Sequence, residues 1–425
     1  MTRRTIEVDE RLPLLQTLPL SLQHLFAMFG ATVLVPFLFK VNPATSLLLN
    51  GVGTLLYLWL CKGRIPAYLG SSFAFLAPVF AVLALVGPGG YAAAQGGFIA
   101  FGLFFVLVSQ VVRVAGTRWI DVILPPAAMG AIVAIIGLEL APVAADMAGL
   151  TGKVSAPFTV ASASAVALAT LGLTILASVL LRGFLGVIPV LLGVVGGTVL
   201  SLVLGKVDLA GIAAAPWLQV PTFYAPTFHA KAFLMILPAA FVVLAEHVGH
   251  LVVTGNIVGR DLVKDPGLHR SLLGDGLSNI LSGLAGATPN TTYGENIGVM
   301  AITKVYSVWV IGGAAVIAIV VSFLGKVAAA IRAIPVPVMG GVCLLLFGII
   351  AAAGIRMLVE QKVDYSKPRN LVLTSVVLTA GASGAAVKLG AVELKGMALG
   401  TTVAIVLSLL FWAFDRLGLS NDAEK

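Results

Sequence analysis

The sequence predicts an all-α polytopic membrane protein: fourteen transmembrane segments arranged as two inverted repeats of seven. Three observations predict it. Of 425 residues, 59% are hydrophobic and 10% charged, with a mean hydropathy of +1.06. Soluble chains are about 45–50% apolar and about 25% charged, so too few charges remain here for a water-facing surface, and the bilayer must serve as solvent. Apolar runs divided by turn signals number fourteen, and two of them, at matching places in the two halves, are interrupted by proline, glycine and hydroxyl residues.

The spans of the first half (residues 1–205) are read at 17–39, 43–61, 66–86, 92–113, 120–144, 158–181 and 183–205. Those of the second half (206–425) are read at 232–257, 271–286, 289–304, 306–325, 333–355, 370–387 and 392–414. With the N-terminus cytoplasmic, the 26 lysines and arginines divide 18 inside to 8 outside, the bias that sets orientation. Both termini are therefore expected in the cytoplasm. The net charge of +8 lies in short loops and not on a basic stripe, which argues against a nucleic-acid partner. No cleavable signal peptide is read at the start, because charged residues from Arg3 to Arg11 give way to a run long enough to be a retained span. Cys61 and Cys343 each sit in an apolar stretch and read as small core residues. The tail from Ser420 to Lys425 reads as a solvated end.

Seven spans per half reverse the entry side of the second half, which is the arithmetic of an inverted repeat. Gln23-His24 in the first span is echoed by Glu246-His247 in the eighth, and Phe73 in the third by Tyr293 in the tenth. The third segment opens Pro66-Ala67-Tyr68-Leu69-Gly70-Ser71-Ser72 and the tenth Thr288-Pro289-Asn290-Thr291-Thr292-Tyr293-Gly294. Such stretches begin as extended backbone and turn helical only afterwards. Non-helical backbone at membrane depth survives where it is buried or lines a cavity, and a matched pair of interrupted spans points to a transport site. The free N–H groups at the two half-helix starts would face carbonyl oxygens of a ligand there.

Four acidic residues fall within spans: Glu139, Glu246, Asp275 and Glu295. A carboxylate at the centre of a span costs roughly 2.5–3.5 kcal/mol on insertion scales, so each needs a reason. Glu246 and His250, four apart, share one helix face, and Glu295 stands at the positive start of the tenth half-helix. Burial, a helix start and a neighbouring histidine all act on a carboxylate's proton affinity, which makes these groups candidates for loading and releasing a proton. Glu139 reads as an interfacial or packing carboxylate, Asp275 as an inter-helix hydrogen-bonding group and His247 as structural. His24 reads either as a brace from the repeat-related helix or as a packing residue.

The run Ala245-Glu246-His247-Val248-Gly249-His250, with Thr288-Pro289-Asn290-Thr291-Thr292-Tyr293-Gly294-Glu295-Asn296, resembles the bacterial uracil permeases. Glu295-Asn296-Ile297-Gly298, continued to Thr303-Lys304, fits the signature of the wider nucleobase–cation symporter and nucleobase–ascorbate transporter family. Gln23-His24 and Gly70-Ser71-Ser72-Phe73-Ala74-Phe75 are similar to that family too. The resemblance implies a core domain of spans 1–4 and 8–11 and a gate domain of spans 5–7 and 12–14, with short antiparallel strands in spans 3 and 10. It implies that Glu246 and Glu295 accept hydrogen bonds from a base, that the backbones of Phe73 and of Tyr293 or Gly294 donate to it, and that Ala31 lies nearby. Glu295 with His250 would carry the coupling proton, with His24 and Asn296 in support. The implied activity is proton-coupled uracil uptake across the bacterial inner membrane by a homodimer, with no cofactor and only the nucleobase and membrane lipid as partners. Purine relatives commonly carry Gln at the position of Glu295.

Other classes fit less well. A purine or xanthine permease stays within the family, and an anion transporter of the same architecture would meet two glutamates that repel its cargo. A metalloprotease needs two His four apart with Glu directly after the first, whereas here Glu246 precedes His247 and His250, which are three apart. A channel would not accumulate its cargo.

Overall fold

The computed structural model describes residues 4–389 and 392–420. Arg3, Lys425 and the tail from Asn421 onward, all part of the sequence reading, lie outside the described residues. Along the chain the helices are α1 (Leu14–Ala27), α2 (Phe29–Phe39), α3 (Pro43–Leu60), α4 (Leu76–Val86), α5 (Gly90–Ala115), α6 (Arg118–Ile123), α7 (Pro126–Met147), α8 (Val160–Leu180) and α9 (Pro189–Val203). After the short α10 (Ala210–Ala214) come α11 (Ala230–Val258), α12 (Leu268–Ala285), α13 (Gly294–Thr303), α14 (Val308–Ser322), α15 (Gly325–Arg332), α16 (Val336–Glu360), α17 (Pro368–Ala382) and α18 (Gly396–Arg416). Among the described residues seven of these are single helices long and apolar enough to cross a membrane, and α1 with α2, bent by 42°, is long and apolar enough as a pair. Leu and Val side chains such as Val179 and Val203 stay about three-quarters exposed, as lipid-facing residues do.

Several expected spans are reshaped. The segment 120–144 breaks at Pro125-Pro126 into α6 and α7, because Pro126 has no N–H to donate and pushes its predecessor out of the helical region. The segment 370–387 ends as helix at Ala382 and is followed by Gly384 at φ +72°. Its last residues and the first of 392–414 belong instead to the antiparallel strands Ala386–Leu389 and Val392–Lys395. The alternation of Val387, Lys388, Glu393 and Leu394 suits a half-solvated ribbon better than a lipid-facing helix. Helix α16 runs on to Glu360, past the expected end at 355, and this brings Arg356 into a helix instead of a loop.

The helices pack in two groups. One joins α1, α3, α5, α11, α12 and α14, and the other α7, α8, α9, α16, α17 and α18. In the second group α7 and α16 approach until backbones touch: a Cβ added at Gly137 would lie 2.1 Å from the Phe347 carbonyl oxygen. Small residues permit this approach, and in a bilayer the resulting van der Waals contact is what holds helices together.

Candidate functional site

Leu69–Ser71 (β1) and Asn290–Thr292 (β2) pair antiparallel in the interior of the first group, with Gly70 opposite Thr291. Their buried backbones, denied water, need other partners. Thr54 Oγ1 accepts from the Leu69 N–H at 2.9 Å, and Asn279 Oδ1 accepts from the Asn290 N–H at 2.6 Å. Tyr293 N–H donates to the Tyr68 carbonyl, and Ser72 N–H to that of Pro289. Beyond the strands the chain turns helical at Phe73 and at Gly294. A helix start leaves its first N–H groups without an intrahelical acceptor, and the N–H groups of Phe73 and Gly294 find none elsewhere among the described residues.

A cavity of about 330 Å³ opens at these two starts. Phe73, Tyr293, Gly294 and Glu295 line it from the broken segments, Glu246 and His250 from α11, and Val133, Ile136, Ile349 and Ile350 from α7 and α16. It therefore lies between the two groups of helices. Neither Glu246 nor Glu295 is bonded to another side chain among the described residues. His250 Nδ1 lies 3.1 Å from Thr292 Oγ1, and a Cβ at Gly294 would crowd its Nε2 at 3.2 Å. The Tyr293 hydroxyl donates to the Ser71 carbonyl at 2.9 Å, and the Phe73 ring packs edge-on against Phe347 of α16. Apolar walls with two carboxyl groups that no side chain pairs and two free N–H groups suit a small, flat ligand with both donors and acceptors.

The remaining candidates lie behind this wall. His24 and Asn296 are buried together, His24 Nδ1 3.0 Å from Asn296 Nδ2, and Ala31 is buried without lining the cavity. Asp275 Oδ2 is 2.9 Å from His247 Nδ1, both fully buried, and Asn279 Nδ2 donates to Asp275 Oδ1. The pair ties α11 to α12. Glu139 Oε2 accepts from the Met397 N–H at 2.8 Å and so caps the start of α18. A larger, open cavity of about 820 Å³, among the loops that follow α7 and α9 and precede α16, holds Asp146, Lys153, Lys206, Asp208 and Arg332. Two of its cations are already engaged there, Lys153 with Asp146 and Lys206 with the Pro157 carbonyl.

The family model Xan_ur_permease, described as the permease family, matches residues 15–390. The chain belongs to this permease family. A uracil permease of Escherichia coli K12 is 64% identical over 97% of this chain and 95% of its own length. Those of Paenibacillus larvae and Bacillus subtilis are 58% and 48% identical, over 99% and 92% of this chain and 100% and 91% of their own. Among solved structures, the transmembrane domain of the cyanobacterial bicarbonate transporter BicA aligns at TM-score 0.60 and 16% identity, over 97% of this chain and 98% of that one. The murine anion transporter Slc26a9 aligns at 0.69 and 12%, over 96% and 69%. At such identities these two speak for the fold alone. A permease with these apolar helices is a multi-pass protein of the bacterial inner membrane, and a transporter, which sets aside the metalloprotease reading of residues 246–250.

Around the smaller cavity, sequence reasoning missed the contribution of α16. Arg356 and Glu360 also line the cavity, their side chains paired at 2.7 Å. Their spacing of four was a legible helical signal, but Arg356 reads as a loop cation once the span is ended at 355. Thr292, the partner of His250, sat in the quoted motif without a role of its own.

Proposed function

We propose that this permease takes up uracil together with protons by alternating access. The observation that carries the reading is the pair Glu246 and Glu295 in one cavity, in a chain 64% identical to a uracil permease. Uracil presents two N–H donors and two carbonyl acceptors on a flat ring. In this reading the carboxylates accept from the ring N–H groups, and the N–H groups of Phe73 and Gly294 donate to its carbonyls, with Tyr293 flanking the base and Ala31 packed behind the wall. An analogue lacking those N–H groups leaves buried acceptors unpaired and is rejected. Glu295, with His250, carries the coupling proton, His24 and Asn296 brace the half-helix, and no cofactor takes part. Two glutamates in the cavity disfavour anionic cargo of the kind named for the structural relatives.

The two helix groups would be the core (spans 1–4 and 8–11) and the gate (5–7 and 12–14), moving against each other with the base held on the core. Fourteen spans in two inverted repeats, residues 1–205 and 206–425, are supported by neighbours that recur seven spans on. Helix α5 packs on α12 as α14 does on α3, α1 on α14 as α11 on α5, and α8 on α9 as α17 on α18. The strand holders repeat as well, Thr54 serving β1 as Asn279 serves β2. Both termini are cytoplasmic in this reading, and two copies associate through their gates.

Labelled-uracil uptake into proteoliposomes under an inward proton gradient tests the proposal. Accumulation that an uncoupler abolishes, and that Glu246→Ala and Glu295→Ala both remove, is the expected result. Wild-type uptake by both variants, or uptake of xanthine in preference to uracil, would refute it.

A further inference from the structure

The family signature closes on Thr303-Lys304, and nothing in the transport reading uses these two residues. In the structure they end α13. Thr303 Oγ1 donates to the Val299 carbonyl, and Lys304 turns into the left-handed region at φ +61°. The turn presents the Lys304 carbonyl sideways, where the Ile6 N–H donates to it at 2.9 Å.

That bond is one of a series. Residues 4–12 lie beside 304–308, bridging at Ile6 and Val305 and turning at Val8-Asp9: Tyr306 N–H donates to the Ile6 carbonyl, Val308 N–H to that of Val8, and Ser307 Oγ to that of Glu10. Val8 is fully buried and Ile6 nearly so. Asp9 pairs at 3.1 Å with Arg260 beyond the end of α11, the helix that carries Glu246 and His250. The segment thus holds the far end of α13, which carries Glu295, and meets the far end of α11, which carries Glu246, through an exposed ion pair.

We propose that residues 4–12 form a strap that positions α13, and through it Glu295, for binding the base. Helix α13 is a single ten-residue rod, so Lys304 lies about 14 Å from Glu295 along one axis at roughly 1.5 Å per residue. At one end Asn296 is held by His24; at the other the strap holds Lys304. With either end loose the rod tilts, and the Glu295 carboxylate leaves its place opposite Glu246. Held at both ends, it meets the ligand without an ordering cost at each binding event. The inference rests on the uracil reading only for its ligand, since the strap's grip on α13 is independent of what is bound.

Ile6→Pro removes the N–H that Lys304 accepts and keeps an apolar side chain, whereas Ile6→Val keeps both. Uracil uptake should show a KM raised about three- to tenfold in Ile6→Pro, the range expected for one lost hydrogen bond, with kcat within about twofold and Ile6→Val close to wild type. Asp9→Arg should raise KM too, and the exchange Asp9→Arg with Arg260→Asp should restore it, which a merely bulky defect would not allow. Hydrogen exchange of the α13 amides should be faster in Ile6→Pro, with or without uracil. Wild-type exchange in Ile6→Pro overturns the strap, and faster exchange with an unaltered KM overturns its positioning role. If the wild-type protein transports no uracil, the functional reading falls while the exchange comparison still decides the strap.

Discussion

Gly70→Ala isolates the physics of the broken segments in one methyl group. A Cβ at residue 70 would lie 2.4–2.7 Å from the ring carbons and hydroxyl of Tyr293, where ordinary contact needs roughly 3.4–4 Å. The ring must therefore move by about 1 Å. It is buried, and its hydroxyl is bound to the Ser71 carbonyl at 2.9 Å, so the shift both overpacks the site and breaks a hydrogen bond. Overpacking costs about 1–3 kcal/mol and the lost bond about 0.5–1.5 kcal/mol. Together, about 2–4 kcal/mol predicts a fall of roughly 30- to 1000-fold in kcat/KM for uptake. A ring that relieves the clash by swinging into the cavity competes with the ligand, so that escape route also lowers uptake. Tyr293→Phe loses only the hydrogen bond and should cost about two- to tenfold. The assay is initial-rate uptake into proteoliposomes, normalised to monodisperse protein, for both variants side by side. Near-wild-type kcat/KM in Gly70→Ala would refute the placement of Tyr293 over β1, and with it the register of the two strands at the site.

Three further outcomes follow from the same geometry. Glu246→Gln and Glu295→Gln each replace one carboxyl oxygen by an amide NH2 that cannot accept, and should lower kcat/KM for uracil by about 5- to 150-fold, the cost of about 1–3 kcal/mol for a buried polar group left unpaired, measured by the same uptake assay. Glu139→Ala uncaps α18 and should lower the unfolding temperature in detergent, by the equivalent of about 0.5–2 kcal/mol for a lost cap, while the KM for uracil stays unaltered; a changed KM would mean that Glu139 belongs to the transport site. Asp9 is held below the usual aspartate value of 3.8 first by backbone N–H donation and then by Arg260. A lowered carboxylate stays ionised above its usual range and releases its partner only as pH falls through the lowered value, so the KM defect of Asp9→Arg should not vary between pH 5 and 8.

Much of the site could be read directly because its chemistry is out of place. Glutamates in an apolar span, and Pro, Gly and Thr where a helix should run, have no low-cost explanation in a bilayer. That is why residues 66–75, 246–250 and 288–296 stood out without any structure. Other features carried no such mark. Ala386–Leu389 and Val392–Lys395 pair as a ribbon, yet their hydropathy passes for the ends of two spans. Thr292 looks like any other threonine of its segment until His250 is seen beside it.

What the sequence by itself determined is therefore the solvent, the number of apolar runs, the interrupted pair and the acidic groups that needed explaining, all of which follow from the free energy of single residues and their near neighbours in lipid. Only the tertiary structure decided the partners: Asp275 against His247, Glu139 at the start of α18, Arg356 at the cavity, and residues 4–12 against Lys304. Each joins positions far apart in the chain. Such contacts depend on how helices pack, and packing is set by the shapes of whole surfaces, which no local stretch of residues encodes.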